Sequence, residues 1–193
     1  MAVTQIVSLV DGKETLKRSL QRFSTEKIVF VTTKERIKDA LSIRNEFALA
    51  YKMPTEVKIL ENNPAKIINE LKGQKNAVLN IIDHDDLNYY LISASFILGI
   101  PVYFSNGHEM QQLPGPTSKL KDTLSPDQIR ILNNLKEEAT HEQLAALAKL
   151  DNDLLFFYLY GKNSQIGLIR LGLVDDYGER LRLTEFGRLV VGS

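Results

Sequence analysis

Residues 76–104 read NAVLNII (76–82), DHDDLNYYLISASFILG (83–99) and IPVYF (100–104), and this stretch decides the fold. The first and last runs are short, apolar and rich in β-branched or aromatic residues, the pattern of buried strands. Between them, residues 86–98 predict a helix that Gly99 ends. Residues 87–107 carry no charge and are long enough to span a bilayer. However, Gly99-Ile100-Pro101 interrupts the run, and Asn88, Ser93 and Ser95 dilute it. A buried helix feeding a buried strand is the better reading, and no membrane contact is expected.

The same alternation continues upstream. Residues 5–10 (QIVSLV), 27–32 (KIVFVT) and 56–60 (EVKIL) read as strands. Residues 14–23, 35–51 and 64–72 read as helices. Asn63-Pro64 opens the last of these, and Gly73 closes it. Strand and helix in strict alternation imply an α/β domain over residues 1–110, Rossmann-like, with a parallel sheet covered by helices on both faces. Ligands in such sheets bind beyond the carboxyl ends of the strands. The loops there are 11–14, 32–34, 61–63, 83–86 and 105–108.

Downstream the pattern changes. Residues 111–123, with two prolines and a glycine, read as a linker. Residues 124–193 then predict a small α+β domain. Ser125-Pro126-Asp127-Gln128 gives a serine cap with proline at the first helical position. Thr140-His141-Glu142-Gln143 fits a capping box. Residues 151–160 read as a third helix, and residues 164–171 as a fourth or its continuation. Residues 174–177 and 180–183 flank Gly178-Glu179 as a hairpin, and 184–191 close the chain. Helices followed by a hairpin in so short a segment is the winged variant of the helix-turn-helix.

Composition narrows the chemistry. The chain of 193 residues has no cysteine, which excludes disulfides, thiolate zinc sites and cysteine catalysis. The start of the chain lacks a charged n-region, so a cytoplasmic protein without signal peptide is expected. Net charge is zero. Up to Asp122 there are 16 basic and 14 acidic residues; from Thr123 onward there are 8 and 10. Neither part has the basic excess typical of nucleic-acid binders.

The C-terminal part resembles the winged-helix domains of prokaryotic transcriptional regulators. The residues that carry this are Leu124 to Gln128 with Ile131-Leu132, Thr140 to Ala145, Gly172-Leu173-Val174 and Leu183-Thr184-Glu185-Phe186-Gly187-Arg188. The N-terminal part resembles the CRISPR-associated Rossmann-fold (CARF-like) sensor domain, on Asn80-Ile81-Ile82 and the run from Ala94 to Tyr103. In archaeal regulators of that group the two domains come in this order. The resemblance implies a homodimer that senses a cyclic oligoadenylate or another nucleotide through the loops after the first and fourth strands, and a domain that binds double-stranded DNA. The family has a Gly-Gly-Thr-Lys-like sequence after its fourth strand. Here it is acidic, and carboxylates repel phosphates unless a cation intervenes.

The candidate ligand residues follow from this placement. Asp83, His84, Asp85 and Asp86 stand at the end of the fourth strand. They could contact a ligand or hold Mg²⁺ or Mn²⁺ for a metal-dependent phosphodiesterase. A solvated loop with Asp85 or Asp86 capping the next helix is the plainer reading, and no metal ligand or catalytic residue is assigned. Asp11, Gly12 and Lys13 offer close backbone approach and a cation for phosphate, or an ordinary turn. Thr32 and Thr33 offer hydroxyls, or a helix cap. In the second domain, the apolar run 154–160 suits a core or an inter-subunit contact better than a DNA-reading helix. That leaves Ser164, Gln165 and Arg170 as the exposed reading segment, with Arg180 and Arg182 on the wing. Three functions follow. One is a ligand-responsive transcriptional regulator. Another is an assembly protein whose winged helix no longer binds DNA. The third is the metal-dependent nuclease.

Overall fold

A computed structural model describes residues 2–8, 13–82, 86–105, 109–115, 118–162 and 165–192. The chain divides into two compact units, Met1–Lys119 and Leu120–Ser193. Among the described residues, no helix is long and apolar enough to cross a membrane.

The first unit runs β1 (Val3–Ser8), α1 (Lys13–Arg22), β2 (Thr25–Thr32), a 3₁₀ turn (Lys34–Arg36) leading into α2 (Ile37–Tyr51), β3 (Thr55–Ile59), α3 (Pro64–Leu71), β4 (Ala77–Ile81), α4 (Asp86–Leu98), β5 (Val102–Ser105) and β6 (Met110–Gln112). The sheet order is β3-β2-β1-β4-β5-β6. The first five strands are parallel, and β6 runs antiparallel to β5. This is the expected α/β, Rossmann-like sheet.

Burial explains why strand pattern and helix pattern separate so cleanly. Strands β1 and β4 are covered on both faces and are buried along nearly their whole length. Val7, Leu16, Ile28, Phe30, Ile43 and Phe47 form one core cluster, with the Phe30 and Phe47 rings edge to face at 6.3 Å. Helices α3 and α4 pack together, burying Ile67, Leu71, Leu87 and Leu91. The predicted start of α3 is met: the Asn63 side chain accepts from the Lys66 N–H at 3.1 Å, and Pro64 takes the first position.

The stretch read as a linker carries structure at both ends. Without β6, strand β5 would be an edge with open backbone groups, and residues 110–112 return antiparallel to cover it. The Leu113 N–H extends this by donating to the Val102 carbonyl at 2.9 Å. The chain then passes so close to Gly99 that a Cβ there would lie 2.5 Å from the Ser118 carbonyl carbon. Gly99 also has φ of 68°, so this position favours glycine twice over.

The second unit comprises α5 (Leu120–Thr123), α6 (Pro126–Asn134), α7 (His141–Ala148), α8 (Asn152–Tyr160), a short pair β7 (Gly161–Lys162) and β8 (Gln165–Ile166), a hairpin of β9 (Val174–Asp176) and β10 (Leu181–Leu183), and α9 (Glu185–Gly192). Both α6 and α7 start in complete capping boxes, Ser125 with Gln128 and Thr140 with Gln143. Ala139, just before α7, bridges Leu181 of the hairpin. Ile131, Leu132, Leu144, Leu155, Leu159 and Leu173 form the interior.

Residues 165–171, the described part of the predicted helix 164–171, are not helical. Residues 165–166 form β8, and 168–171 form a turn. The physical reason lies at the end of α8. Its last carbonyls need donors, and the returning chain supplies them: the Leu168 N–H donates to Tyr158 at 2.9 Å and the Ile169 N–H to Leu159 at 3.0 Å. Gly167 permits this approach, since a Cβ there would sit 2.3 Å from the Leu159 carbonyl oxygen.

Candidate functional site

The sheet order places the topological switch between β1 and β4, where connections leave in opposite directions and a crevice opens at the carboxyl ends. Polar side chains gather at that end of the sheet, in addition to the buried Thr4 and Gln5 that β1 carries nearer its start. Ser8 ends β1, Ser105 ends β5, Asn80 is the penultimate residue of β4, and Asn88 lies in the first turn of α4; all four are buried. The Ser8 hydroxyl donates to the Asn88 side-chain oxygen, tying β1 to α4 across the switch point. The Ser105 hydroxyl donates to Asn80 Oδ1 at 3.0 Å. Asn80 Nδ2 and Ser95 Oγ are buried without a hydrogen-bond partner among the described residues. A buried polar atom left unpaired costs about 1–3 kcal/mol, so such groups call for a reason beyond stability.

The sequence-predicted ligand residues distribute unevenly around this crevice. Asp11, Gly12, Asp83, His84 and Asp85 lie outside the described residues, so the metal-site reading that depends on them gains no geometry. Asp86 opens α4 and is exposed, a favourable place for a carboxylate near a helix N-terminus. Lys13 opens α1 and pairs with Glu46 of α2. Thr32 ends β2 and is buried, its carbonyl accepting from the Leu60 N–H at 2.8 Å. Thr33 stands at the N-cap position of the 3₁₀ turn without a side-chain capping bond; its hydroxyl hydrogen-bonds to Glu35 and holds that carboxyl below its usual range. Thr32 thus ends β2 and Thr33 follows it, one strand away from the switch. Sequence reading passed over Ser8, Asn88 and Ser105. The available signal was a polar residue at each strand end or first helical turn inside an apolar run.

In the second unit, α8 follows α7 where the second helix of a helix-turn-helix stands. An apolar-all-round helix is expected to be buried, but only Leu155 and Leu159 of α8 are. Leu154, Phe156 and Tyr160 are 43%, 45% and 42% exposed. The Leu155 and Leu159 stripe packs α8 onto α6 and α7, β7 and β8 contact it as well, and Leu154, Phe156 and Tyr160 stay exposed. The exposed rings are ordered. Phe156 stacks on His141 at 5.0 Å and 6°, and on Tyr160 at 5.5 Å and 14°. The Tyr160 hydroxyl donates to Asp176 of β9 and lies 3.1 Å from His141 Nε2. Burial first, then the Asp176 carboxylate, pushes the Tyr160 phenol up to about 12; the same hydrogen bond lowers Asp176.

Two of the five predicted DNA-contact residues, Arg180 and Arg182, are ion-paired. Arg180 pairs with Glu138 at 3.5 Å. Arg182 pairs with Asp175 at 3.6 Å and lies over the Tyr177 ring, 4.3 Å from its centroid. Gln165 pairs with Lys162 in the β7–β8 ladder, Arg170 is exposed in the following turn, and Ser164 lies outside the described residues.

No protein-family model matches the chain, and no curated protein matches its sequence. Several solved structures resemble its fold weakly. One is a type III CRISPR defence DNA nuclease activated by cyclic oligoadenylate, at TM-score 0.47 and 9% identity, over 66% of this chain and 22% of that one. Another is Can2 from Sulfobacillus thermosulfidooxidans, solved with cyclic tetra-adenylate, at 0.49 and 13%, over 98% and 61%. A third is protein VC1899 from Vibrio cholerae, at 0.42 and 10%, over 99% and 64%. The chain spans less than two thirds of the length of each of these proteins. At such identities and TM-scores they decide neither ligand nor activity here.

Proposed function

We propose that this chain is a ligand-responsive regulator. Its first unit takes a small nucleotide effector at the β1–β4 switch point, and its second unit is a winged-helix output module, the whole acting as a homodimer. The observation that carries the reading is the set of buried polar groups, Ser8, Asn80, Asn88 and Ser105, gathered at the carboxyl end of the sheet where its strand order reverses. Such groups orient a ligand that an apolar crevice alone would not. The sequence resemblance to CARF-like sensors makes a cyclic oligoadenylate the first effector to test. A regulator of transcription is the first output to test.

Calorimetry on the full chain with cyclic tetra-adenylate and cyclic hexa-adenylate, with and without Mg²⁺, tests the first part. Binding that weakens about tenfold in Asn88→Ala is expected, the effect of one buried polar contact. No heat with any cyclic or linear oligoadenylate would end the effector assignment. A gel shift with upstream DNA at low salt tests the second part, because phosphate contacts are strongest there.

A second reading of the output module has its own support. The wing arginines are paired with carboxylates of their own domain, and α8 presents rings and carboxylates where a reading helix presents Arg, Lys, Asn or Gln. On this reading the winged helix is an assembly module that does not bind DNA. Gel shifts that stay absent at low salt, with and without effector, are its expected result.

A further inference from the structure

We infer that the exposed face of α8 is a docking surface for another protein, and that its occupant is a segment combining apolar side chains with lysine or arginine. The inference rests on the second reading above and gives that assembly module its partner chemistry.

Phe156 and Tyr160 lie one turn apart on the same face of the helix and Leu154 lies further round it, each more than two-fifths exposed. They line an open groove of about 790 Å³ whose polar lining includes Asp151, Asp153 and Lys162. A contiguous exposed apolar patch rimmed by polar groups is what binding surfaces present. The patch is also prepared for a partner. Phe156 is held against His141, and the Tyr160 hydroxyl is held by Asp176. Rings ordered before binding lose little freedom on association, and aromatic anchors dominate interface energies.

Charge decides the occupant. Asp151 is accounted for by the fold: it caps α8, accepting from the Leu154 N–H at 2.7 Å. Asp153 is exposed and makes no hydrogen bond or ion pair among the described residues. Lys162 is the only basic residue lining the groove among the described residues. Carboxylates beside aromatic faces favour a cation, the rings through their quadrupole and the carboxylates through their charge. The same carboxylates repel phosphate, which disfavours DNA. A second copy docked face to face sets two carboxylates and one lysine against the same set, because a two-fold contact pairs a patch with itself, and so leaves an acidic excess that a basic segment neutralises. A basic, apolar segment of a different protein satisfies both the rings and the rim.

The test is selection of random displayed peptides on the full chain, run in parallel on Phe156→Ala and Asp153→Lys. Enriched peptides should carry Arg or Lys beside aromatic or aliphatic residues. Their affinity by fluorescence anisotropy should fall about tenfold in Phe156→Ala, as for loss of one aromatic anchor. It should also fall in Asp153→Lys and weaken with added salt. Failure to enrich over Phe156→Ala, or enrichment of acidic or uncharged peptides, overturns the inference. So does a sedimentation shift from dimer to monomer in Phe156→Ala, which would make a second copy the occupant. DNA binding that falls in Phe156→Ala overturns it too. A gel shift in wild type that is unchanged in Phe156→Ala removes the assembly reading alone, and the peptide selection still decides the docking face.

Discussion

The molecule contains the same local motif twice and uses it in opposite ways. Phe47 and Tyr51 stand four residues apart on α2 and stack at 5.4 Å and 19°. Phe156 and Tyr160 stand four residues apart on α8 and stack at 5.5 Å and 14°. Phe47 is 1% exposed and sits in the core of the first unit; Phe156 is 45% exposed. Spacing and ring geometry are nearly identical, so neither decides burial. What differs is the other side of the ring. Phe47 meets β2 through Phe30, whereas the outer face of α8 meets solvent among the described residues. A stacked pair whose phenylalanine lies in the core is stabilising material even with its Tyr51 39% exposed; a pair whose phenylalanine lies open is the recognition material proposed above.

The sharpest way to break this comparison is to truncate both rings. Phe47→Ala removes a fully buried ring from a packed cluster and should destabilise by about 3–5 kcal/mol. Urea denaturation measures it. A loss below about 1 kcal/mol would mean that the cluster relaxes around the gap and that the core assignment is wrong.

A second pair of substitutions separates stability from function at the switch point. Asn80→Ala leaves the buried Ser105 hydroxyl without its acceptor and should cost about 1–3 kcal/mol. Replacing both, as Asn80→Val with Ser105→Ala, removes donor and acceptor together and should be near neutral or stabilising. If these groups exist for a ligand, the double variant keeps its stability and loses effector affinity in calorimetry. A double variant that remains strongly destabilised would make the pair a structural one.

These effects also show how far the sequence could be read. The parallel sheet was legible because Ile6-Val7 of β1, residues 28–31 of β2 and residues 77–79 of β4 are buried apolar runs, and because Asn63-Pro64 and Gly99 mark helix limits chemically. Strand β6 was not legible, since Met110–Gln112 owes its conformation to the open edge of β5, a long-range cause. The non-helical path of 165–171 was not legible for the same reason: residues 165–166 pair with β7, and the Leu168 and Ile169 N–H groups are claimed by carbonyls of α8. At the candidate site, position was legible but identity was only partly so. Loops at the carboxyl ends followed from the alternation. Ser8, Asn88 and Ser105 did not, because single polar residues in apolar runs acquire meaning only when strand order brings them together. Of the two readings of the apolar run 154–160, the core one holds for Leu155 and Leu159 alone, because a nine-residue apolar helix needs neighbours on every side to be buried; the inter-subunit one stays a proposal.

On the α8 side the effects are smaller. Phe156→Ala gives up a ring stack and part of a half-exposed surface, so about 1 kcal/mol is expected, well below the Phe47 value. The same substitution carries the larger effect on peptide affinity. A destabilisation as large as that of Phe47→Ala would show that the ring is core after all, and the contrast between the two pairs would collapse.

The smallest effect expected is from Tyr160→Phe, and its signature is a pH window. The folded protein holds the Tyr160 phenol at about 12, against an ordinary 10, through burial and the Asp176 carboxylate. A raised folded value favours the protonated phenol, so this stabilisation is full below pH 10. It falls as the unfolded chain ionises, and is gone above about pH 12. Asp176 is lowered by the same hydrogen bond, so its share is full above the ordinary carboxylate range and is lost as pH falls through it. Tyr160 is partly exposed and therefore screened, and the total should stay below about 1 kcal/mol. Denaturation followed across pH should show that Tyr160→Phe reduces stability at neutral pH and flattens the decline between 10 and 12. An unchanged alkaline slope would mean that the phenol is not held by Asp176 in solution. The Phe156 ring would then lack the anchored neighbour that distinguishes a prepared surface from a merely exposed one.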